Sequence, residues 1–215
     1  EAGLFNVLHE KQADFLNTIA SDEVIQQAIK DWSFISDSKK MVIAERLHLL
    51  HAESYGFTPA RLEACIRPPV GEVGQQRMSY GSYDRVENVI YYNVYQPKPD
   101  DMIPTFRKSF ADFAATILHE GDHVFQNAMV QKLQKGEIDD LALTTYARIM
   151  RDSVNGAYYL DQPRVDLKAY LDNPSEKHAY KFQHEMESFL KCGSSPARVS
   201  LPPISAYSLL PHNCA

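Results

Sequence analysis

The sequence predicts an α+β fold, mostly helical, with one small sheet or hairpin just ahead of the longest helix. Three observations lead there. Apolar residues recur at helical spacing through residues 3–30, 38–55, 106–135, 139–153 and 175–191. One stretch, residues 78–96, is instead rich in Tyr, Val and Ile and is edged by turn residues. No proline interrupts residues 106–135, and Gly136 then supplies a natural stop. A chain of 215 residues suits a single domain with a sizeable core, expected over residues 1–192. Residues 193–215, with Pro196, Pro202, Pro203 and Pro211, read as an irregular tail.

Composition excludes several classes. An apolar content of 44% with 23% charged residues is globular. The net charge of -6, with no basic cluster, argues against a nucleic-acid partner. No run approaches the length of a membrane-spanning helix. Cys65, Cys192 and Cys214 form neither a disulfide framework nor a C-x-x-C metal site, although a Cys192–Cys214 bridge fits a secreted protein. The chain opens on Glu1, so an upstream signal peptide and a secreted or periplasmic location are compatible with it.

Taken in order, residues 3–30 place Leu4, Leu8, Phe15, Ile19, Ile25 and Ile29 at helical spacing. Trp32, Phe34 and Ile35 then form an apolar knot expected to plug one end of the core. A second helix after Asp37 or Ser38 aligns Met41, Ala44, Leu47 and Leu50 or His51 on one face and stops at Gly56. Thr58-Pro59 reads as N-cap and first helical position of a short helix through Ile66, so residues 1–66 are expected to be helical. A hairpin follows, its second strand at about 88–95, ended by Gln96-Pro97-Lys98-Pro99. Its tyrosines are ordinary cover for a half-exposed sheet. The longest helix is expected over 104–135, with Pro104 at its first position. The helix at 139–153 and the last one at 175–191 complete the set.

The longest helix carries His119-Glu120-Gly121-Asp122-His123. Residues four apart on a helix share a face, so the two imidazoles converge on one point. Glu120 projects about 100° around the axis from His119, near that point. Two His plus an adjacent carboxylate suit a zinc ion and a base for water. Chance gives H-E-x-x-H on the order of once in a hundred chains of this size, and the apolar flanks Ala114, Ala115, Ile117, Leu118, Val124 and Phe125 suit a buried helix. A catalytic zinc needs a third protein ligand from another element, and the last helix offers Glu176, His178, His184, Glu185 and Glu187. Glu176 is equally well explained as a first-turn carboxylate favoured by the helix dipole.

The order Gly81-Ser82-Tyr83-Asp84, Asn88-Val89-Ile90, Asn93 and then the H-E-x-x-H helix resembles small bacterial zincin metallopeptidases. In those, an edge strand ahead of the metal helix pairs with an extended peptide. His119-Glu120-x-x-His123-x-x-Gln126 is similar to a group of small metallopeptidases carrying a downstream Tyr-x-x-x-Pro-x-Glu-x-x-Ala-Tyr phrase, whose Glu is taken as a ligand. This chain has Tyr170-Leu171-Asp172-Asn173-Pro174-Ser175-Glu176-Lys177-His178-Ala179-Tyr180. The resemblance covers under a quarter of the chain and implies a gluzincin-like site with Glu176 as third ligand. It lacks the metzincin H-E-x-x-H-x-x-G-x-x-H and the thermolysin-like N-E-x-x-S-D, with Glu185 the rival glutamate.

The resulting expectation is a zinc-dependent metallopeptidase acting on a peptide or protein substrate. Zn2+ is held by His119, His123 and Glu176, and Glu120 is the general base on a water that zinc activates. Tyr170, Tyr180 or His178 is the candidate donor to the oxyanion. Asp122 and Gln126 are candidates to orient the imidazoles, a solvent-facing Asp122 being the simpler view. The alternatives are an inactive zincin-fold binding protein and a metal-dependent hydrolase of a non-peptide bond. Retention of Glu120 favours an enzyme.

Overall fold

The computed structural model describes residues 2–68, 79–94, 109–156 and 172–191. The tail 193–215, Cys192, Cys214, Pro104 and Tyr170 lie outside the described residues. The architecture is mostly helical with a small three-stranded sheet, an α+β fold. In chain order it runs α1 (Ala2–Ser21), α2 (Glu23–Asp31), a 3-10 turn (Trp32–Phe34), α3 (Asp37–Tyr55), β1 (Arg61–Cys65), β2 (Gly81–Asp84) and β3 (Val89–Asn93). Then come α4 (Phe110–Lys135), α5 (Leu141–Gly156) and α6 (Pro174–Lys191).

The helix α4 lies at the centre, touching α2, α3, α5, α6, β2 and β3, while α1 packs on α3 and α5. A helix this apolar on all sides has no solvent face to spare, and its run from Phe113 to Asp122 is buried without interruption. Trp32 wedges against Phe110 and Phe113, with ring centroids 5.4 and 4.6 Å apart. Of the expected apolar knot only Trp32 is buried; Phe34 is 89% exposed. Phe15, Tyr55, Phe57, Phe125, Tyr146 and Phe182 form a second aromatic cluster on the other side.

Three boundaries differ from expectation for local reasons. The first helix is two, because Asp22 leaves helical geometry and its carboxylate caps Ile25 N–H, opening α2. The metal-motif helix starts at Phe110, not near Pro104, because Ser109 is extended (φ -128°, ψ 156°) and caps Asp112 N–H. Residues 61–65 form β1, not a helix. Five residues make no stable helix alone, whereas here they pair in parallel with β3, Arg61 opposite Val89 and Cys65 opposite Asn93. The helix ends read from Gly56 and Gly136 stand, both glycines being left-handed.

The strand order is β1-β3-β2, with β2 antiparallel to β3 at the edge of the described sheet. The turn between them is closed by Asp84, which accepts from Val86 and Glu87 N–H, and by Asn88 at φ 53°. Val89, Ile90 and Tyr92 are buried, while Tyr91 turns outward to Glu87.

Behind α4, Gly121 faces two fully buried histidines of α3. A Cβ on Gly121 would stand 2.8 Å from His51 Nδ1 and 3.1 Å from His48 Nδ1, so only glycine permits this approach. His48 Nε2 accepts from Ala60 N–H at 3.0 Å, which holds its ring neutral. His51 stacks on Phe182. Burial pushes the pKa of His48 down to about 4; burial, then His48, pushes that of His51 down to about 3 despite the nearby Asp122.

Gly121→Ala is therefore expected to lower stability: helix propensity favours Ala by about 1 kcal/mol, but overpacking two caged rings costs about 1–3 kcal/mol. An unchanged or raised urea midpoint would show that the rings yield freely. A second outcome concerns acid. Between about pH 6.5 and the depressed folded values, the unfolded chain binds protons that His48 and His51 cannot. Stability therefore falls with pH, by at most about 1.4 kcal/mol per pH unit for each ring. His48, Asp122 and His178 are the titratable groups facing His51. In urea melts from pH 7 to pH 5, His51→Phe should flatten the slope relative to wild type; equal slopes would contradict the assignment.

Candidate metal centre

His119 and His123 lie one turn apart on α4, ring centroids 5.0 Å from each other. Glu176 reaches them from the first turn of α6. Asn173 starts that turn by accepting from Ser175 N–H at 2.9 Å, Pro174 follows without a donor to satisfy, and Glu176 comes next but one. The chain geometry thus delivers a carboxylate where the helix dipole also favours one. One ligand atom from each of His119, His123 and Glu176 falls within 4.8 Å of the others.

The spacing within this cluster is informative. His119 Nε2 lies 3.5 Å from Glu176 Oε2, and His123 Nε2 lies 3.5 Å from Glu176 Oε1. That is long for a charged hydrogen bond. Two ligand atoms on one tetrahedral zinc, at bonds of about 2.0–2.2 Å, stand about 3.4 Å apart. Glu176 Oε2 is buried without a hydrogen-bond partner among the described residues. Two imidazoles, one carboxylate and an orphaned oxygen at this spacing fit a His₂Glu cation site.

Glu120 lies alongside, at the floor of a cleft bordered by Ser79, Gly81, Ser82, Tyr83 and Arg85. Its carboxylate receives the backbone N–H of Tyr83. Burial pushes the Glu120 carboxyl up; His119 and His123 pull against this, Glu176 adds to it, and the net shift is upward. Burial works the same way on Glu176, but the two imidazoles outweigh it and hold that carboxyl well below the usual range. Gly81 makes the arrangement possible: a Cβ there would lie 2.9 Å from Glu120 Cγ and 3.2 Å from Thr116 Cγ2.

Behind the cluster, Asp122 is fully buried, contrary to the solvent-facing view. Its Oδ2 accepts from Gln126 Nε2 at 2.6 Å and from His178 Nδ1 at 2.7 Å. Burial raises this carboxyl, but His178 together with His123 and His51 outweighs burial and the net shift is downward. Asp122 is thus a carboxylate in the core answered through Oδ2 alone, its Oδ1 being buried with no hydrogen-bond partner among the described residues.

The remaining candidates go elsewhere. His178 is turned to Asp122 and Tyr146. Glu185 accepts from Gln12 at 2.7 Å, and Glu187 pairs with Lys191 and His184. Tyr180 stands edge-on to the His119 ring, 4.7 Å between centroids, and Tyr170 lies outside the described residues. Sequence reasoning missed His48, Gly81, Tyr83 N–H and the role of His51. The available signal was His48-x-x-His51 within an apolar helix face, where an imidazole pair is out of place. No protein-family model matches the chain, and comparison with curated proteins and with solved structures finds no match.

Removing the Asp122 carboxylate leaves one buried Gln126 Nε2–H and the half-buried His178 Nδ1–H without their acceptor. Asp122→Ala should cost about 3 kcal/mol or more in urea denaturation of the metal-free protein, and Asp122→Asn, which keeps an acceptor, distinctly less. Equal stability of Asp122→Ala and wild type would remove Asp122 from the list of anchoring groups.

Proposed function

We propose that this chain is a zinc-dependent metallopeptidase of the zincin type, with His119, His123 and Glu176 as ligands and Glu120 as general base. The carrying observation is the convergence of a His₂Glu set, spaced for one cation, with a second carboxylate beside it on the same helix. When bound, zinc acidifies water and polarises a carbonyl.

The protein's own groups do the rest. Tyr83 N–H holds the Glu120 carboxylate on the cleft floor, where burial raises its proton affinity towards that needed of a base near neutral pH. Glu120 takes a proton from the attacking water and passes it to the leaving amine. Tyr180, edge-on to His119 and four residues after Glu176, is the described candidate for the oxyanion donor.

An extended peptide is favoured as substrate because β2 is an edge strand bordering this cleft. Residues 80 and 93 share a ladder hydrogen bond, so alternation turns the Gly81 backbone groups and the Tyr83 carbonyl away from β3, the Tyr83 N–H being taken by Glu120. Hydrolysis of a non-peptide bond is the second reading, since a His₂Glu cation and a Glu base serve it equally well. Manganese, cobalt or nickel are also compatible with the ligand set. Among the described residues no helix is long and apolar enough to cross a membrane.

Elemental analysis of purified protein is expected to find about one zinc per chain, lost in Glu176→Ala and retained in Glu185→Ala. Glu120→Gln should keep the metal yet lower cleavage of an unfolded protein substrate by about 10²–10⁴-fold. Wild-type protein that stays metal-free after zinc loading would overturn the proposal, and full cleavage by Glu120→Gln would remove Glu120 as base.

A further inference from the structure

Histidine binds a metal through a nitrogen without a proton, so a ligand His is competent only in the tautomer whose proton sits on the other nitrogen. His123 presents Nε2 to Glu176, at 3.5 Å. Its proton therefore belongs on Nδ1, and something must accept it. The nearest polar atom is Gln126 Oε1, at 3.1 Å.

A glutamine amide can point either way round. Here its orientation is forced. Gln126 is buried. One end of its amide lies 2.6 Å from Asp122 Oδ2 and 3.0 Å from the Ser175 carbonyl oxygen. A carboxylate and a carbonyl only accept, so that end must be the NH₂. The other end is then the oxygen, which accepts from Ser175 Oγ at 2.7 Å and faces His123 Nδ1. The Ser175 hydroxyl also lies 3.4 Å from His123 Nδ1, but its proton is committed to the shorter contact. Reading the chain of acceptors from its far end, the Asp122 anion sets the amide, and the amide sets the imidazole.

The same amide spans two helices. Both of its contacts with Ser175 are to the residue immediately before Glu176, so it also fixes the turn that delivers the third ligand. His119 has no such arrangement: its Nδ1 is buried with no hydrogen-bond partner among the described residues.

We propose that Gln126 is a positioning residue which, oriented by Asp122, fixes His123 in its metal-binding tautomer and pins the first turn of α6 beside it. This rests on the metal-site reading above. The relay needs an acceptor facing His123 and Ser175 Oγ and a donor reaching the Asp122 anion. Gln126→Leu removes both. Gln126→Glu keeps both: beside the Asp122 anion the buried carboxyl holds its proton and donates it to Asp122 Oδ2, its other oxygen faces His123 and Ser175 Oγ, and only the bond to the Ser175 carbonyl is lost.

The test is zinc affinity, measured by competition with a chromophoric chelator, on wild type and both variants, with His119→Ala as control. The expected result is a loss of about 10–100-fold in Gln126→Leu and an affinity within a few-fold of wild type in Gln126→Glu. Unchanged affinity in Gln126→Leu overturns the relay. So does an equal loss in both variants, which is what a merely structural role for the amide would give. If Gln126→Leu does not fold, Gln126→Glu decides alone: near-wild-type affinity supports the relay and a tenfold loss overturns it. A wild type that binds zinc no better than His119→Ala overturns the metal reading itself, an outcome distinct from failure of the relay with zinc binding intact.

Discussion

The burial of α4 is the constraint on which the rest of the structure depends. This helix carries His119, Glu120, Asp122, His123 and Gln126 within two turns, yet its neighbours close over it on nearly every side. Buried polar groups must be paired or they cost free energy comparable to a lost hydrogen bond or more. Most of these groups are answered by a specific neighbour, while His119 Nδ1 and Asp122 Oδ1 are buried with no hydrogen-bond partner among the described residues. β2 supplies Tyr83 N–H to Glu120. α6 supplies His178 to Asp122, Ser175 to Gln126 and Glu176 to the paired imidazoles. The elements around α4 are positioned by its polar demands as much as by its apolar surface.

Close approach is the second condition, and two glycines meet it from opposite sides. Gly81 lets the edge strand descend onto Glu120, and Gly121 lets α3 press two imidazoles against the back of the motif. The motif positions between Glu120 and His123 are thus specified by packing. Position 121 has no room for a side chain, and position 122 has no access to solvent.

The legibility of the sequence followed the range of the interaction involved. Helix stops at Gly56 and Gly136 were readable because a left-handed cap is decided within a few residues. The convergence of His119 and His123 was readable because it needs only helix geometry. β1 was not readable, since Thr58-Pro59 is a sound helix start and only pairing with β3 turns residues 61–65 into a strand. Choosing among Glu176, Glu185, Glu187 and His178 was beyond local reasoning too. Their places depend on how α6 rotates against α4, with Gln12 claiming Glu185 and Asp122 claiming His178. Asp122 misled for the same reason: an Asp on a helix is ordinarily solvated, and only three converging elements make its burial affordable.

Charge balance joins these threads. Glu120, Asp122 and Glu176 bring three carboxylates into one partly dry region, with His119, His123 and His178 against them. Asp122 is answered by His178, leaving two carboxylates facing two imidazoles across the cleft. Without a cation, the imbalance draws a proton onto His123, whose pKa is pushed up to about 9 because Glu176 and Glu120 beside it overcome the effect of burial. On the proposed reading, a divalent cation would resolve the same imbalance with all three ligands deprotonated, protons leaving as metal binds. Glu120, outside the proposed ligand set, is in the metal-free site the carboxylate whose proton affinity burial raises. The two carboxylates thus differ in setting, Glu176 fixed between two imidazoles and Glu120 beside a strand N–H, and the proposed division into ligand and base rests on that difference.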